Sequence, residues 1–387
     1  MRSFIKYGTM IILINLIVCS FSGNLSSQTK TNNIIGSEKL LIKSEILNEE
    51  RTVLVSLPAD HSDSKSNFPV LYVLDGNTHF IQASGACSYL SMQGIAPGII
   101  VVAVTNVDRN RDFTSLHNEA MPTSGGGEKF HNFLKKELKP YIDKNYKTSG
   151  FDILMGHSLG GTFAVYSLLE YPDVFDAYIA VSPYLQISDN YLIDEAKKKL
   201  KKGYSGTKAF YMTVGDEPGY FKVMGEFSTL VNERSGDAIS LKYEKMEGEN
   251  HITTPYLGVF NGLRFIFSDW VLDKEIFSAG ISAIDEHYKK ISEKYNIEIT
   301  TPEHVINLLG YNYLRAGKTE KAIEVFTENT KRFPDSPNVY DSLGEAYESN
   351  KQNDLAKGNY KKAWELGVEQ KHVFTDIFKK NLERVSD

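Results

Sequence analysis

Ile-Leu-Met-Gly-His-Ser-Leu-Gly-Gly, residues 153–161, is the most informative segment of this chain. An apolar strand that ends at Met155 runs into the pattern Gly-x-Ser-x-Gly, and a helical pattern over 162–170 follows. This is the context of a nucleophile elbow, in which glycines two residues to either side of the serine relieve crowding at a strained turn. The sequence therefore predicts that Ser158 is a nucleophile and that the N–H of Leu159 is an oxyanion donor.

Short apolar strands alternate with helical patterns on both sides of the elbow. Strands that are apolar throughout and separated by helices predict a mostly parallel sheet with helices on both faces. Two leading strands, over 40–47 and 52–57, are expected to pair antiparallel around a turn at 48–50. The other predicted strands cover 70–74, 99–104, 153–155, 177–181, 210–214 and 239–245, and the predicted helices cover 129–146, 162–170, 222–233 and 261–271. The predicted fold class is α/β.

A serine of ordinary acidity needs a base, and the base needs an acid to orient it. In α/β-hydrolases the acid and then the histidine follow the serine along the chain. Of the histidines after Ser158, only His251 lies in a loop after the last predicted strand. The strand over 210–214 runs into Asp216-Glu217-Pro218. Glu217 is the preferred acid, because the proline after it bends it toward the histidine. Asp216 is the alternative, and a Ser–His dyad without an essential acid stays open.

A second oxyanion donor is expected in the loop after the strand over 70–74, where Gly76 permits the turn and Asn77 offers its N–H. Over about residues 38–270 the chain resembles the putative-esterase family. The resemblance lies in the elbow, in this segment after the strand, in Arg-Asn-Arg-Asp-Phe-Thr at 109–114, in the glycines at 125–127 and in the Ser-Pro at 182–183. That family includes enterochelin esterases, esterase D and feruloyl esterases. The resemblance implies an α/β-hydrolase fold without a lid domain, with Ser158 as nucleophile and His251 as base. It also implies that 75–77 line the oxyanion side and that 111–112 brace the rim.

Beyond residue 271 the pattern is helical throughout, and it repeats. Leu309-Gly310 recurs as Leu343-Gly344, Tyr313 as Tyr347, Ala322 as Ala356 and Phe326 as Tyr360, each 34 positions on. This period and these residue types resemble the tetratricopeptide repeat. The predicted domains are the hydrolase domain over 39–270, a linking helix over 271–302, and an all-α domain of two repeats and a capping helix over 303–387. The repeats are expected to bind a protein partner or a second copy.

The first residues predict export. Arg2 and Lys6 precede an apolar run over 10–18 and then small and polar residues, the pattern of a signal peptide over 1–22. A flexible lead over 23–38 is expected to follow. Residues 16–19 also resemble a lipoprotein box, so an acylated Cys19 is the alternative to a soluble form. Because Cys87 is the other cysteine, no disulfide framework is expected, and the prediction is a periplasmic enzyme.

Composition excludes several classes of protein. With 387 residues, 41% of them hydrophobic and 24% charged, the chain is neither disordered nor a polytopic membrane protein. A formal charge of −6 argues against a nucleic-acid partner. The expected function is hydrolysis of a small-molecule ester, on a siderophore or an acylated carbohydrate, with no cofactor, no metal and no transmembrane span in the mature chain. The alternatives are an acyltransferase on the same fold and an interaction protein with an inert hydrolase domain.

Overall fold

The computed structural model describes residues 37–59, 61–62, 66–200 and 207–386. Within these ranges eight strands form one sheet, in the order β1-β2-β4-β3-β5-β6-β7-β8. The strands are β1 Ser37–Ser44, β2 Glu49–Ser56, β3 Phe68–Val73, β4 Ile100–Val104, β5 Thr148–His157, β6 Ala177–Val181, β7 Lys208–Val214 and β8 Ile239–Lys245. β2 pairs antiparallel with β1 and β4, and the other neighbours are parallel.

Helices connect the strands and continue to the end of the described chain. They are α1 Gly76–Met92, α2 Arg109–Phe113, α3 Gly127–Phe133, α4 Lys139–Asn145, α5 Leu159–Glu170, α6 Ile187–Lys199, α7 Pro218–Arg234, α8 Thr254–Ile266, α9 Lys274–Ala279, α10 Ile281–Tyr295, α11 Glu303–Arg315, α12 Thr319–Arg332, α13 Pro337–Ser349, α14 Asn353–Gln370 and α15 Thr375–Arg384. A π-helical turn, Leu134–Leu138, joins α3 to α4.

Both faces of the sheet are covered, as the unalternating strands predict. All six residues of β3 are buried. Its alternate side chains enter two different cores: Tyr72 packs with residues of α3, α5 and α7, whereas Leu71 packs with residues of α1, α8 and α10. The strand order, the antiparallel start and the two helical layers confirm the predicted α/β-hydrolase fold, and an all-helical region follows it.

Several predicted boundaries are wrong. The turn between β1 and β2 covers 45–48 rather than 48–50, because Asn48 takes φ 54 and Glu49 already pairs with Ser44. Ser37 and Glu38, assigned to the flexible lead, are paired in β1. The rest of that lead, the signal peptide over 1–22 and Cys19 lie outside the described residues.

The segment 75–77 was expected to be a loop, but it starts a helix. Asp75 is the N-cap of α1, with φ 52 and ψ 45, and Gly76 and Asn77 form the first turn. Gly76 is needed for close packing, because a Cβ there would lie 2.8 Å from the backbone of Ala103 on β4. Asn77 is therefore held by a helix that rests directly on the sheet.

The predicted single linking helix over 271–302 is also wrong. Gly280, with φ 102, separates α9 from α10, and the chain over 296–302 is not helical. α10 packs on two cores: Ile291 and Tyr295 lie in the core under the sheet, whereas Ile284 and Tyr288 pack with residues of α11.

The helical region contains two hairpins, α11–α12 and α13–α14, followed by α15. Gly310 lets its hairpin close, since a Cβ there would lie 2.4 Å from the ring of Phe326. Gly344 has the same relation to Tyr360, at 2.7 Å. Contacts of the same kind thus recur at corresponding positions of the two hairpins.

Candidate active site

Ser158 occupies the turn between β5 and α5, with φ 56 and ψ −120. A non-glycine residue in such a conformation costs on the order of 1–3 kcal/mol and persists only where its surroundings hold it. Its N–H donates to the Val181 carbonyl at 2.8 Å, and its carbonyl accepts from the Thr162 N–H at 2.9 Å. Gly156 is required, because a Cβ there would lie 2.1 Å from the carbonyl oxygen of Gly160.

His251 and Glu217 are in direct contact. Nδ1 of His251 lies 2.5 Å from Oε2 of Glu217. The other carboxylate oxygen of Glu217 accepts from the Ser182 hydroxyl at 2.6 Å and from the Gly215 N–H at 3.3 Å. The Glu217 side chain is only 10% exposed, so this carboxylate is satisfied in a largely buried position. Such an arrangement selects the histidine tautomer that carries its proton on Nδ1 and leaves Nε2 available as a base.

Asp216, the alternative acid, points elsewhere. Its Oδ2 accepts from the exposed Gly248 N–H at 2.8 Å, and its own N–H donates to the Glu249 carbonyl at 2.6 Å. These contacts tie the loop after β7 to the loop that carries His251. Gly215 allows the two loops to approach, because a Cβ there would lie 2.5 Å from the Glu249 carbonyl oxygen.

The two predicted oxyanion donors are at the starts of two helices. Leu159 is the first residue of α5 and is buried, whereas Asn77 is exposed in the first turn of α1. First-turn N–H groups have no acceptor within their own helix. The positive ends of both helices add to the preference for an anion there.

Three histidine rings lie in a row beside the elbow. The His157 ring centroid is 4.6 Å from that of His251 and 5.4 Å from that of His79. Burial, and then the charge of His251, lower the pKa of His157 to about 3. Burial also lowers the pKa of His79, against the opposing effect of Asp75. His157 is therefore neutral near pH 7 and gives the base an uncharged neighbour.

Ser158 and His251 are brought to the same edge of the sheet, but among the described residues no hydrogen bond joins the serine hydroxyl to the imidazole. Catalytic hydrogen bonds are often long before substrate binds. The Tyr220 ring also lies near the base, with its centroid 6.0 Å from that of His251 and 6.1 Å from that of the exposed Tyr184. These aromatic rings form a wall next to the histidine.

Sequence reasoning assigned no role to three residues that contact this machinery. Ser182 supports Glu217, His157 packs on His251, and Arg109 reaches both Asp75 and the elbow. In the sequence, Ser182 stands out only through the Ser-Pro after β6, and Arg109 only through the arginine-rich segment at 109–114. Neither pattern specifies a contact. Arg111, expected to brace the rim, pairs with Glu49 on β2 and with Asp112.

The described part of the chain contains neither a metal-binding cluster nor a membrane-spanning helix. No group of three or more His, Cys, Asp or Glu side chains in the described ranges is arranged to hold a metal ion. Of the helices in that part of the chain, none combines the length and the apolar character that crossing a bilayer takes.

Comparison with known proteins gives consistent matches. The sequence model described as Putative esterase matches residues 44–251. Ferri-bacillibactin esterase BesA of Bacillus subtilis is 27% identical over 262 residues, which are 60% of this chain and 90% of that protein. Among solved structures, an IroE-like serine hydrolase from Shewanella oneidensis has a TM-score of 0.65 at 23% identity, over 77% of this chain and 99% of its own. An uncharacterised protein from Capnocytophaga ochracea has a TM-score of 0.64 at 16% identity, over 90% of this chain and 99% of its own. The last match extends into the helical C-terminal region.

Proposed function

Because this chain belongs to the Putative esterase family and is a serine carboxylic-ester hydrolase, we propose that it cleaves siderophore esters through a Ser158–His251–Glu217 triad. The observation that carries the triad is the 2.5 Å contact between His251 Nδ1 and Glu217 Oε2, beside a strained serine at the start of α5. Strain that the surroundings hold in place is typical of catalytic positions.

In the acylation step, Ser158 Oγ attacks the ester carbonyl carbon and His251 Nε2 takes the hydroxyl proton. The carbonyl oxygen becomes an oxyanion, which accepts hydrogen bonds from the N–H groups of Leu159 and Asn77. Losing one such donor costs about 2.7–4 kcal/mol of transition-state stabilisation. When the intermediate collapses, the alcohol leaves with the proton from the imidazolium, and an acyl-serine remains.

Deacylation repeats the same steps with water. His251 takes a proton from the water, the hydroxide attacks the acyl carbon, and the proton returns to Ser158 as the acid leaves. Glu217 orients His251 and stabilises the imidazolium that forms in each half-reaction. The Ser182 hydroxyl supports Glu217 by its hydrogen bond to the second carboxylate oxygen.

The proposed substrate class is supported by the curated relative, which is named a ferri-bacillibactin esterase and is matched over 90% of its length. The test is a panel of aryl, feruloyl, acetyl-xylan and catecholate-siderophore esters on the chain and on Ser158→Ala. We expect the highest kcat/KM on the siderophore ester, and a loss of several orders of magnitude on every ester in the variant. Wild-type turnover by Ser158→Ala would contradict the assignment of Ser158 as the nucleophile. A preference for a feruloyl or acetyl-xylan ester would contradict the proposal that the substrates are siderophore esters.

The remaining proposals concern the two ends of the chain. Residues 1–22 are proposed to be a signal peptide that directs a periplasmic enzyme, with acylation at Cys19 as the alternative; the apolar run over 10–18 supports this. The hairpins α11–α12 and α13–α14 are proposed to be tetratricopeptide repeats that bind a partner or a second copy. The period of 34 and the matching Gly310–Phe326 and Gly344–Tyr360 contacts support the repeat assignment.

A further inference from the structure

The proposed oxyanion hole takes its two donors from segments that are far apart in the sequence. Asn77 belongs to the start of α1, and Leu159 belongs to the start of α5. Both N–H groups must lie within hydrogen-bond distance of one developing oxyanion, so the spacing of the two segments determines their joint effect. A contact that joins the segments next to these donors would set that spacing.

The side chain of Arg109 makes such a contact. Its Nε donates to Asp75 Oδ1 at 2.7 Å, and its Nη2 donates to Asp75 Oδ2 at 3.1 Å. The same Nη2 donates to the backbone carbonyl of His157 at 3.1 Å. Asp75 precedes the first turn of α1, and His157 precedes the elbow serine. One guanidinium therefore joins the two segments that supply the donors.

At the start of α1, the contact with Arg109 stabilises Asp75 in an uncommon backbone conformation. Asp75 is 4% exposed and has φ 52, an uncommon conformation for a residue with a side chain. Besides Arg109, the amide of Asn106 donates to its Oδ1 at 2.6 Å. The carboxylate is thereby satisfied without a contact to the candidate triad, so its role is structural support of the turn that leads to Asn77.

At the elbow end, Arg109 completes the anchoring of the peptide between His157 and Ser158. The carbonyl of that peptide accepts from Arg109, and its N–H donates to the Val181 carbonyl at 2.8 Å. Both polar groups of the peptide that leads into the strained serine are therefore bonded, one to β6 and the other to the arginine.

Arg109 itself is mounted on a well-anchored helix. It is the first residue of α2, whose N-cap Asp108 accepts from the Arg111 N–H at 3.0 Å. In the same helix, Asp112 is fully buried and pairs with the buried Arg51 of β2 at 2.5 Å. Because α2 is anchored in this way, the guanidinium of Arg109 has a fixed position from which it bonds Asp75 and His157.

We propose that Arg109, with Asp75, is a positioning pair that fixes the distance between the two oxyanion donors; this rests on the proposed function. Its effect belongs to the transition state, because the donors need their full alignment only when the oxyanion forms. Arginine is required because its planar fork bonds three acceptor oxygens, two of Asp75 and one of His157, in a fixed geometry, whereas the single ammonium group of lysine does not.

The test compares Arg109→Gln and Arg109→Lys with Arg332→Gln in the full chain. Arg332 is the matched control, since it makes a bidentate pair with Asp285, at 2.7 and 2.9 Å, in the helical region, and its side chain is 30% exposed against 35% for Arg109. The substrate is p-nitrophenyl acetate, which is neutral, so a direct charge contact with substrate cannot produce the effect. A trifluoromethyl ketone, whose adduct with serine carries an oxyanion, reports on the hole separately.

We expect both Arg109 variants to lose at least tenfold in kcat with KM within about threefold of wild type, and the trifluoromethyl ketone to bind weaker by a similar factor. Arg332→Gln should keep the wild-type kcat, KM and ketone affinity, while its melting temperature should change by about as much as those of the Arg109 variants. Arg109 variants that match Arg332→Gln in kcat and in ketone affinity would overturn the proposal, as would a loss confined to KM. If Arg109→Gln does not fold, Arg109→Lys decides alone. Inactivity of Ser158→Ala together with unaffected Arg109 variants would reject this inference and leave the proposed function standing.

Discussion

Glu217 illustrates how much a single residue depends on contacts that the sequence does not display. Asp216 and Glu217 are adjacent carboxylates at the end of the same strand, and either could follow β7 as the acid. The structure separates them by their partners: Glu217 meets His251 and Ser182, whereas Asp216 meets the backbone of Gly248. The choice depends on the direction of each side chain after the strand, which the order of residues does not encode.

We predict that Glu217→Gln lowers kcat far more than Asp216→Asn does. A glutamine still fits beside His251, but it no longer stabilises the imidazolium, and the corresponding change in a serine protease costs about 10⁴-fold. Asp216→Asn keeps an acceptor for the Gly248 N–H and should change kcat less than threefold. The measurement is steady-state turnover of a p-nitrophenyl ester by both variants. A larger effect at Asp216 would exchange the roles, and no effect at either residue would favour a Ser–His dyad.

At the scale of elements, strands were easier to predict than helices. β6 and β8 match their predicted bounds: β6 is a continuous apolar run, whereas along β8 Ile239, Leu241 and Tyr243 alternate with polar residues. α1 was missed, since its sequence contains Gly76, Gly85 and several small polar residues and shows no apolar stripe. It is buried by packing on β4 and α8, and the local sequence pattern does not show these tertiary contacts. The linking helix failed for a related reason: the helical pattern continues through Gly280, but the chain turns there.

The hairpins of the helical region provide a prediction at this scale. Gly310→Ala should destabilise the chain, because the new Cβ would lie 2.4 Å from the Phe326 ring and force the paired helices apart. Gly358→Ala is the matched control: Gly358 lies inside α14 with nothing within 4 Å of its added Cβ, so alanine there should stabilise by about 0.5–1 kcal/mol. Urea unfolding of both variants measures the difference. Equal effects of the two substitutions would contradict the close packing at Gly310.

The whole molecule should also be sensitive to acid through a histidine away from the candidate site. Both ring nitrogens of His131 are buried and lack a hydrogen-bond partner among the described residues, and burial lowers its pKa to about 4. Between pH 6.5 and 4 the unfolded chain therefore binds more protons than the folded one, so stability falls as the pH drops through this window. The full difference corresponds to about 3 kcal/mol.

We predict that His131→Phe reduces this acid sensitivity. The phenyl ring can keep the stack on Tyr171, whose centroid lies 3.9 Å away, and it does not titrate. Unfolding free energies from urea titrations at pH 7 and pH 4.5 should differ by roughly 2 kcal/mol less in the variant than in the wild type. The same substitution at the exposed His304 should leave the pH dependence unchanged. An unchanged pH dependence in His131→Phe would show that other groups cause the acid sensitivity.

The boundary between the hydrolase and the helical region is set by α10. The candidate triad is complete by residue 251, so a chain that ends near Asp273 still contains all three of its residues. In the structure, however, Tyr295 is fully buried, and its hydroxyl donates to the Ile266 carbonyl at 2.8 Å. Its ring lies 4.9 Å from those of Phe151 and Phe267. The end of α10 thus completes the core on one face of the sheet.

We therefore predict different outcomes for two truncations. A chain that ends after Asp273 loses Ile291, Tyr295 and Ile297 from that core; removing one buried aromatic side chain already costs about 3–5 kcal/mol, against a total stability of about 5–15 kcal/mol. It should be insoluble or inactive. A chain that ends after Thr301 keeps these contacts and should hydrolyse p-nitrophenyl acetate at close to the full-length rate, although it exposes Ile284 and Tyr288. Soluble yield, melting temperature and turnover of the two chains are the measurements. A folded, active chain ending at Asp273 would show that α10 belongs to the helical region alone, and a folded but inactive chain ending at Thr301 would show that the repeats contribute to the active site.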